Sequence, residues 1–125
     1  MAIVSIEDLI QNNKKIEIEK KKTLKLHLKQ FGKEVIVRKI TFEEFMEIDG
    51  KNADDEVIYN CLIEPKLNSD ELVNKLMCRE NPIEIVKKVF DRNTIKALSS
   101  KILEFSNLVS KDKDLVTEVI DDIKN

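Results

Sequence analysis

Apolar residues recur along this chain with two different spacings, which change from helical to alternating and back near the N-terminus. The helical spacing comes first: Ile6, Leu9 and Ile10 follow Ser5, a residue type that favours the N-cap of a helix. Residues 12–13, both asparagine, are expected to end this helix. The chain is therefore predicted to begin with one short helix.

The alternating spacing covers residues 16–29 and is clearest at 24–28, where leucines alternate with lysine and histidine. A period of two is typical of a strand with one face on a core and the other in water. Residues 30–33 supply a turn, and residues 34–39 have the pattern of a returning strand. Together they predict an antiparallel β-hairpin, which must pack against helices or a partner because an isolated hairpin is only marginally stable.

The helical spacing returns at Thr41 and continues to the end of the chain. Thr41 and Glu44 have the spacing of a capping box, and Gly50 suits the C-terminal end of that helix. Pro65 disfavours helical geometry at the preceding residue and is expected to stop a helix over residues 54–63. Further helices are expected to start at Ser69, at Asn81-Pro82, at Asn93 or Thr94, and after Lys113.

The faces of these helices predict which residues a core should bury, because each set recurs at the spacing of one helix face. The sets are Phe42, Phe45 and Met46; Val57, Ile58, Cys61 and Leu62; Leu72, Val73, Leu76 and Met77; Ile85, Val86, Val89 and Phe90; and Ile95, Leu98, Ile102, Phe105 and Val109.

The fold class that follows is α+β and helix-dominated: a small N-terminal antiparallel β-hairpin followed by a bundle of about five or six short helices. Only two glycines and two prolines are present, which argues against a loop-rich or all-β domain. A length of 125 residues is common for one domain. Residues 1–125 are predicted to form that single domain, with a short helix and basic hairpin over 1–40 and a helical part over 41–125.

Charge is distributed unevenly along the chain, although the net charge is only −2. Residues 1–40 carry ten Lys and Arg against five Asp and Glu, a balance of +5, and residues 41–125 carry twelve against nineteen, a balance of −7. Two interpretations remain open. Either the two parts are solvated faces of opposite sign, or they form a self-complementary or partner-steering pattern that acts on the rate of association.

Cys61 and Cys78 are the only cysteines, and both follow apolar residues. Buried free thiols are expected rather than a disulfide. The N-terminus has no basic-then-apolar signal stretch, and no apolar run approaches the ~20 residues that span a bilayer. These observations lead us to expect a chain that works in the cytoplasm, without a membrane.

The residue types that carry catalysis or bind metals are sparse and isolated. His27 is the only histidine, and the two cysteines are seventeen positions apart. Pairs of acidic residues occur only at helix starts or on polar faces, where they serve as caps, and neither glycine belongs to a phosphate-binding loop. We expect no enzyme activity, no catalytic residue, no metal and no cofactor.

The basic residues of the hairpin suggest nucleic-acid binding, because a row of cations can follow phosphates. These residues are Lys20, Lys21, Lys22, Lys25, Lys29, Lys33, Arg38 and Lys39. Phe31 is the only aromatic residue among them, so there is no platform for stacking bases, and the pI of about 5.6 does not suit a dedicated binder. Nucleic-acid binding is therefore only the third functional hypothesis.

The last predicted helix offers a candidate partner-binding face, formed by Leu115, Val119, Ile120 and Ile123. Two interpretations remain open here as well. This face either completes the core or docks into a groove on another chain.

One segment, Val37 to Leu67, reads VRKITFEEFMEIDGKNADDEVIYNCLIEPKL and resembles a known family. It is similar to the tail assembly chaperones of phages and PBSX-type defective prophages, the XkdN-like group. The elements that carry the resemblance are "VRxLTxEEF", "(I/V)IYxCxxEPxL", an N-terminal helix like SIEDLI and a lysine-rich strand pair. The resemblance covers most of the chain and rests on many positions rather than on one diagnostic motif.

The resemblance implies a non-catalytic protein of the bacterial host cytoplasm. Such chaperones bind the tape-measure protein, keep its apolar helical segments soluble during tail assembly, and are absent from the mature virion. In many of these families a translational frameshift yields a longer form, which is thought to recruit the tail-tube protein. The main alternative is an adaptor or regulatory interaction module, which would form a homo-oligomer through the hairpin edge.

Overall fold

The computed structural model describes residues 2–48, 50–108 and Val116. Its helices are α1 (Ile6–Lys20), α2 (Phe42–Met46), α3 (Ala53–Cys61), α4 (Asp70–Lys75), α5 (Glu84–Val89) and α6 (Arg92–Phe105). Its strands are β1 (Thr23–Leu28), β2 (Lys33–Arg38) and β3 (Leu62–Glu64), and they form one antiparallel sheet in the order β1-β2-β3. The predicted α+β, helix-dominated class with an N-terminal hairpin is confirmed.

Helix α1 is longer than the sequence pattern predicted. Ser5 caps it as expected, in a capping box with Asp8 whose two hydrogen bonds measure 2.9 and 3.0 Å. The helix continues through residues 12–13 to Lys20, so the prediction of a strand from residue 16 was wrong. The alternation of Ile16 and Ile18 was misleading, because two apolar residues two positions apart occur in helices as well as in strands.

The hairpin follows the predicted alternation from Thr23 onward. Leu24 pairs with Val37, and Gly32 occupies the left-handed region at φ 64°, which lets the turn close. The turn is fixed to the helices by Gln30, whose side-chain amide donates to the Val89 carbonyl at 3.1 Å and accepts from the Asp91 amide at 3.0 Å. The hairpin is thus attached to the junction between α5 and α6.

Strand β3 corrects the prediction that α3 extends to Ile63. The helix ends at Cys61, and the next three residues pair antiparallel with β2, with Leu62 opposite Val37. Pro65 favours extended geometry at Glu64, and β2 offers a free edge whose amides and carbonyls need partners. The proline was correctly identified as a helix stop, but the strand that it favours was missed.

Two other helix starts differ from prediction. Helix α5 begins at Glu84 with Ile83 as its N-cap residue, so Asn81-Pro82 does not start it. Helix α6 is capped by Asp91, whose carboxylate accepts from the Thr94 amide at 2.8 Å, and it therefore begins before Asn93 and Thr94. Asp91 was overlooked, although aspartate is among the best N-cap residues.

Two residues near helix ends lie elsewhere than predicted. Met77 was expected to face inward, but it adopts φ 58° after α4 and is 85% exposed. This left-handed residue reverses the chain, so that Cys78 becomes the buried residue instead. Gly50 does not end α2, which stops at Met46; it begins a 3₁₀ turn over Gly50–Asn52.

The core is built around α3. Val57, Ile58 and Cys61 are almost completely buried, and they share one hydrophobic cluster with residues of α5, α6 and the sheet. The members of that cluster from the other elements include Val37, Leu62, Ile85, Val86, Phe90, Ile95, Leu98 and Ile102. These residues confirm the buried faces predicted for α3 and α5 and most of that of α6; Val109 lies outside the described residues.

The first prediction tests this core. Ile58→Ala removes three carbons from a side chain with no exposed surface and should lower the free energy of unfolding by about 2–4 kcal/mol. The matched control, Ile18→Ala, alters a side chain that is 63% exposed and should change it by less than about 0.5 kcal/mol. Urea denaturation measures both, and equal losses would contradict the placement of α3.

Candidate protein-interaction site

Helix α1 lies outside the core. It has fifteen residues, and none of them is buried. A single described ion pair, between Lys39 Nζ and Glu19 Oε2 at 3.4 Å, links it to β2 and the residues that follow. A helix of this length is only marginally stable in water on its own, because most helical stability in proteins comes from packing an apolar face. Helix α1 therefore lacks the packing that stabilises most helices of this length, and contact with another molecule would supply it.

The exposed apolar side chains of α1 are concentrated on one stripe. Ile6 is 74% exposed, Leu9 58%, Ile10 48% and Ile16 44%. Their spacing places them on one side of the helix. Ile18 is 63% exposed but lies about two and a half turns from Leu9, on the opposite side of the helix.

Helix α2 adds a second set of exposed apolar side chains. Phe42 is 61% exposed, Phe45 37% and Met46 65%. The stripe predicted on this helix exists, but the core does not cover it. Ile40 just before the helix is buried and Ile48 just after it is partly buried against the core, so α2 is held at both ends while its aromatic side chains face outward.

The position of α2 is set by Glu44. Its carboxylate receives two hydrogen bonds from the Arg38 guanidinium, at 2.9 and 2.8 Å, and it closes the predicted capping box with Thr41. Arg38 also donates to the Lys39 carbonyl at 2.8 Å. A paired, two-point contact of this kind fixes direction as well as distance. The end of β2 and the start of α2 therefore form a rigid corner.

The electrostatics of this corner follow from the same contact. The pKa of Glu44 is lowered to about 2, first by hydrogen bonds from Arg38 and to a smaller extent by the Thr41 amide, while burial opposes the shift. The pKa of Arg38 is raised in turn, first by its hydrogen bonds to Glu44. Both groups are charged throughout the physiological range, so the corner is a permanent ion pair.

An open cavity of about 560 Å³ separates the C-terminal half of α1 from α2 and the end of α6. Ile16 lines it from one side, Phe42 from another and Leu108 from the third. Of the exposed apolar side chains of the two helices, those of Ile16 and Phe42 line this cavity. We define the apolar face as the exposed stripe of α1 together with the exposed apolar residues of α2: Ile6, Leu9, Ile10 and Ile16 with Phe42, Phe45 and Met46. Full burial of one such side chain contributes about 1.5–3 kcal/mol, so the apolar face can bind another apolar helix.

A second apolar groove, of about 540 Å³, lies beside the hairpin turn. Leu28, Leu67 and Phe90 line its floor, and Phe31 closes one end through an edge-to-face contact with Phe90 whose ring centroids lie 5.9 Å apart. Four of the residues that line it, Leu28, Val35, Leu67 and Phe90, belong to the buried core, and the others are partly buried or exposed. The groove therefore lies where the hairpin meets the helices and opens to the surface.

The basic residues of the hairpin are partly neutralised. Of the eight cations proposed for phosphate binding, four make ion pairs: Lys20 with Glu17, Lys22 and Lys39 with Glu19, and Arg38 with Glu44. Each of these pairs would have to be broken or shared before the cation could bind a phosphate fully. The geometry therefore favours the apolar face over the basic hairpin as the binding surface.

The groups considered for chemistry occupy separate places. His27 is exposed on β1, and burial raises the pKa of the Cys61 thiol to about 12, so it stays protonated. Both cysteines are free and buried, as predicted. Within residues 2–48, 50–108 and 116, no group of three or more His, Cys, Asp and Glu side chains is placed to hold a metal ion.

The residues predicted to bind a partner, Leu115, Val119, Ile120 and Ile123, lie outside the described residues. Val116 is the only member of that predicted helix within them, and it is 89% exposed. The site on α1 was missed because the break predicted at residues 12–13 separated Ile16 from Ile6, Leu9 and Ile10. The absence of Gly and Pro from Ser5 to Lys20 is compatible with an uninterrupted helix, and two asparagines alone do not require a break.

Comparisons with known proteins find no relative: no protein-family model, curated protein or solved structure matches this chain. Among the described residues, no helix combines the length and the apolar character needed to cross a lipid bilayer. The apolar face and the segment from Val37 to Leu67 are therefore the two features that indicate a function.

The second prediction concerns the corner. Glu44→Gln keeps a side chain that can close the capping box but removes the charge that Arg38 binds. Because the Glu44 side chain is 30% exposed, we expect a loss of only about 1 kcal/mol at pH 7.

The loss of stability in Glu44→Gln should depend on pH, because folding lowers the pKa of Glu44. The folded pKa of Glu44, about 2, lies below its ordinary value of 4.5, so the stabilisation is fully present above pH 4.5 and disappears as the pH falls toward 2. Melting temperatures of both proteins between pH 2 and 7 should converge at the acid end. Glu43→Gln, which removes the charge of an exposed neighbour, is the control; an equal pH-dependent loss there would contradict the role of the ion pair.

Proposed function

We propose that this protein is a non-catalytic tail assembly chaperone of a phage or prophage, and that it binds the tape-measure protein. The observation that carries the proposal is the apolar face: large apolar side chains of α1 and α2 remain exposed although the described core is closed without them. Large apolar side chains grouped on exposed helices of a folded domain mark a site of interaction. The resemblance of the segment from Val37 to Leu67 supplies the kind of partner.

The chemistry of the apolar face suits a helical client. A tape-measure protein consists largely of long helices with apolar stripes, which associate in water unless they are covered. Two short helices on either side of a cavity present aliphatic and aromatic side chains at helical spacing, the arrangement that binds an apolar helix in a groove. Met46 and the two phenylalanines of α2 tolerate different client sequences, because Met is flexible and aromatic rings are large.

The charges of the chain support the same role. Charged residues make up 37% of the sequence, so a complex that covers an apolar client would still present a well-solvated surface. The rigid corner formed by Arg38 and Glu44 keeps α2 directed outward at all physiological pH values, and binding then requires little ordering of the chaperone.

The positions quoted in the resemblance fall into two structural groups. Val37, Ile58, Cys61 and Leu67 belong to the core. Arg38, Thr41 and Glu44 build the corner, and Phe45 is exposed beyond it. This division supports the proposal, because it gives part of the segment a structural task and leaves Phe45 available to a client.

The proposal includes the setting that the resemblance implies. The chaperone acts in the bacterial host cytoplasm, leaves before the virion matures, and acquires contact with the tail-tube protein through a longer, frameshifted form.

The third prediction tests the client. Co-expression with the tape-measure protein of the same genome should keep that protein soluble, in a complex with several copies of the chaperone. Size-exclusion chromatography with light scattering measures the complex and its stoichiometry. A tape-measure protein that stays insoluble while this chain elutes alone would contradict the proposal and favour an adaptor with another partner.

The fourth prediction places the contact. Met46→Lys puts a charge on the apolar face and should reduce recovery of the soluble complex by roughly tenfold, because a charge buried against apolar side chains must lose its hydration. Met77→Lys makes the same change at a residue that is 85% exposed and outside the apolar face, and it should have no effect. Equal effects of both variants would exclude α2 as the contact. Circular dichroism of each variant verifies that the fold is unchanged.

A further inference from the structure

Strand β1 forms an open edge of the sheet. The order β1-β2-β3 leaves one side of β1 (Thr23–Leu28) without a neighbouring strand among the described residues. Helix α1, which leads into β1, does not pack along it. Alternate N–H and C=O groups of β1 therefore point outward with no strand to pair with. The opposite edge is shorter, because β3 has only three residues and Pro65 follows it.

The charge along this open edge is of one sign. Residues 20–33 contain six lysines and no Asp or Glu. Two of these lysines are paired with glutamates of α1. The side chains of the other four are exposed and make no ion pair with any described residue: Lys21, Lys25, Lys29 and Lys33. The acidic residues of the described strands, Glu34 and Glu64, lie on β3 and β2 rather than on the edge strand, so the edge itself attracts carboxylates.

The side chains of β1 differ between its two faces. On one face Leu24 and Leu26 are only partly buried, at the margin of the hydrophobic cluster. On the other face Lys25 and His27 are exposed. A strand added beside β1 would place its side chains alternately next to the leucines and next to the basic residues. Aliphatic side chains would cover the leucines, and carboxylates would pair with Lys25.

We propose that β1 binds an extended segment of another protein in which aliphatic and acidic residues alternate, and that this segment becomes a fourth strand of the sheet. Main-chain hydrogen bonds to the open edge provide affinity, and the two faces of β1 provide specificity. Gln30 attaches the hairpin to the junction between α5 and α6, so the edge is ordered before the segment binds. This site is separate from the apolar face, and it does not depend on the identity of the chaperone's client.

The lysines disfavour two other occupants of the edge. A second copy of β1 would bring basic residues against basic residues, and like charges on neighbouring strands destabilise a sheet. A nucleic acid would use the lysines but neither the backbone edge nor the leucines. Phe31 is also the only aromatic residue within residues 20–33, which leaves bases without a stacking platform.

A designed peptide tests this strand addition on the full-length chain. The probe is Glu-Val-Glu-Val-Glu-Val-Glu, acetylated and amidated at its ends. At low salt it should shift the backbone amide resonances of β1 but not those of β3, with a Kd below about 1 mM. The same peptide methylated at every backbone nitrogen keeps its charge but cannot donate main-chain hydrogen bonds, so it should not bind.

The outcomes that would overturn the proposal are distinct. No shift of the β1 resonances at peptide concentrations above about 1 mM would exclude the site. Equal binding of the methylated peptide would show a contact of charge alone, without an added strand. A short oligothymidylate that binds β1 more tightly than the peptide would favour phosphate recognition instead.

Charge reversal on β1 provides a second readout. Lys25→Glu should weaken binding of the peptide by roughly tenfold at low salt, because it puts a carboxylate beside the carboxylates of the probe. Lys96→Glu makes the same change at an exposed lysine of α6 and should have little effect. Equal losses in both variants would show that only the net charge matters. No tape-measure protein is present, so failure of this site can be distinguished from failure of the chaperone proposal, which Met46→Lys tests on α2.

Discussion

The buried face of α3 is the contact on which the rest of the described structure depends. Val57, Ile58 and Cys61 belong to one hydrophobic cluster with residues of α6, α5 and the sheet, and no residue of α1 is a member of that cluster. A domain of this size has one hydrophobic core, and an element that finds no place in it must obtain its packing elsewhere. Helix α1 is thus exposed because the residues that pack around α3 come from other elements of the chain.

The corner formed by Arg38 and Glu44 connects that core to the surface. Val37 lies in the core with no exposed area, its neighbour Arg38 hydrogen bonds to Glu44, and Glu44 completes the capping box at the start of α2. The packing of Val37 in the core therefore helps to fix the direction of α2, the helix that carries the exposed aromatic rings. A flexible link here would let α2 fold back onto the body and cover Phe42 and Phe45.

The sequence predicted the elements that belong to the core better than those outside it. Val57, Ile58, Ile85 and Leu98 were predicted correctly because burial imposes a strict period on the residues that face inward. Burial imposes no such period on α1. Its residues 16–20 fit a helix and a strand equally well when only their own pattern is considered. Strand β3 was missed for a related reason, since its pairing depends on the distant edge of β2.

The burial of Cys61 has a consequence for measuring how this domain moves. Because Cys61 has no exposed surface and burial raises the pKa of its thiol, a thiol reagent can react with it only when the contact between α3 and its neighbours opens. The rate of labelling therefore reports the free energy of that opening, without an added probe. A slower labelling rate in the presence of another molecule would show that binding to α1 and α2 stabilises the contacts around α3.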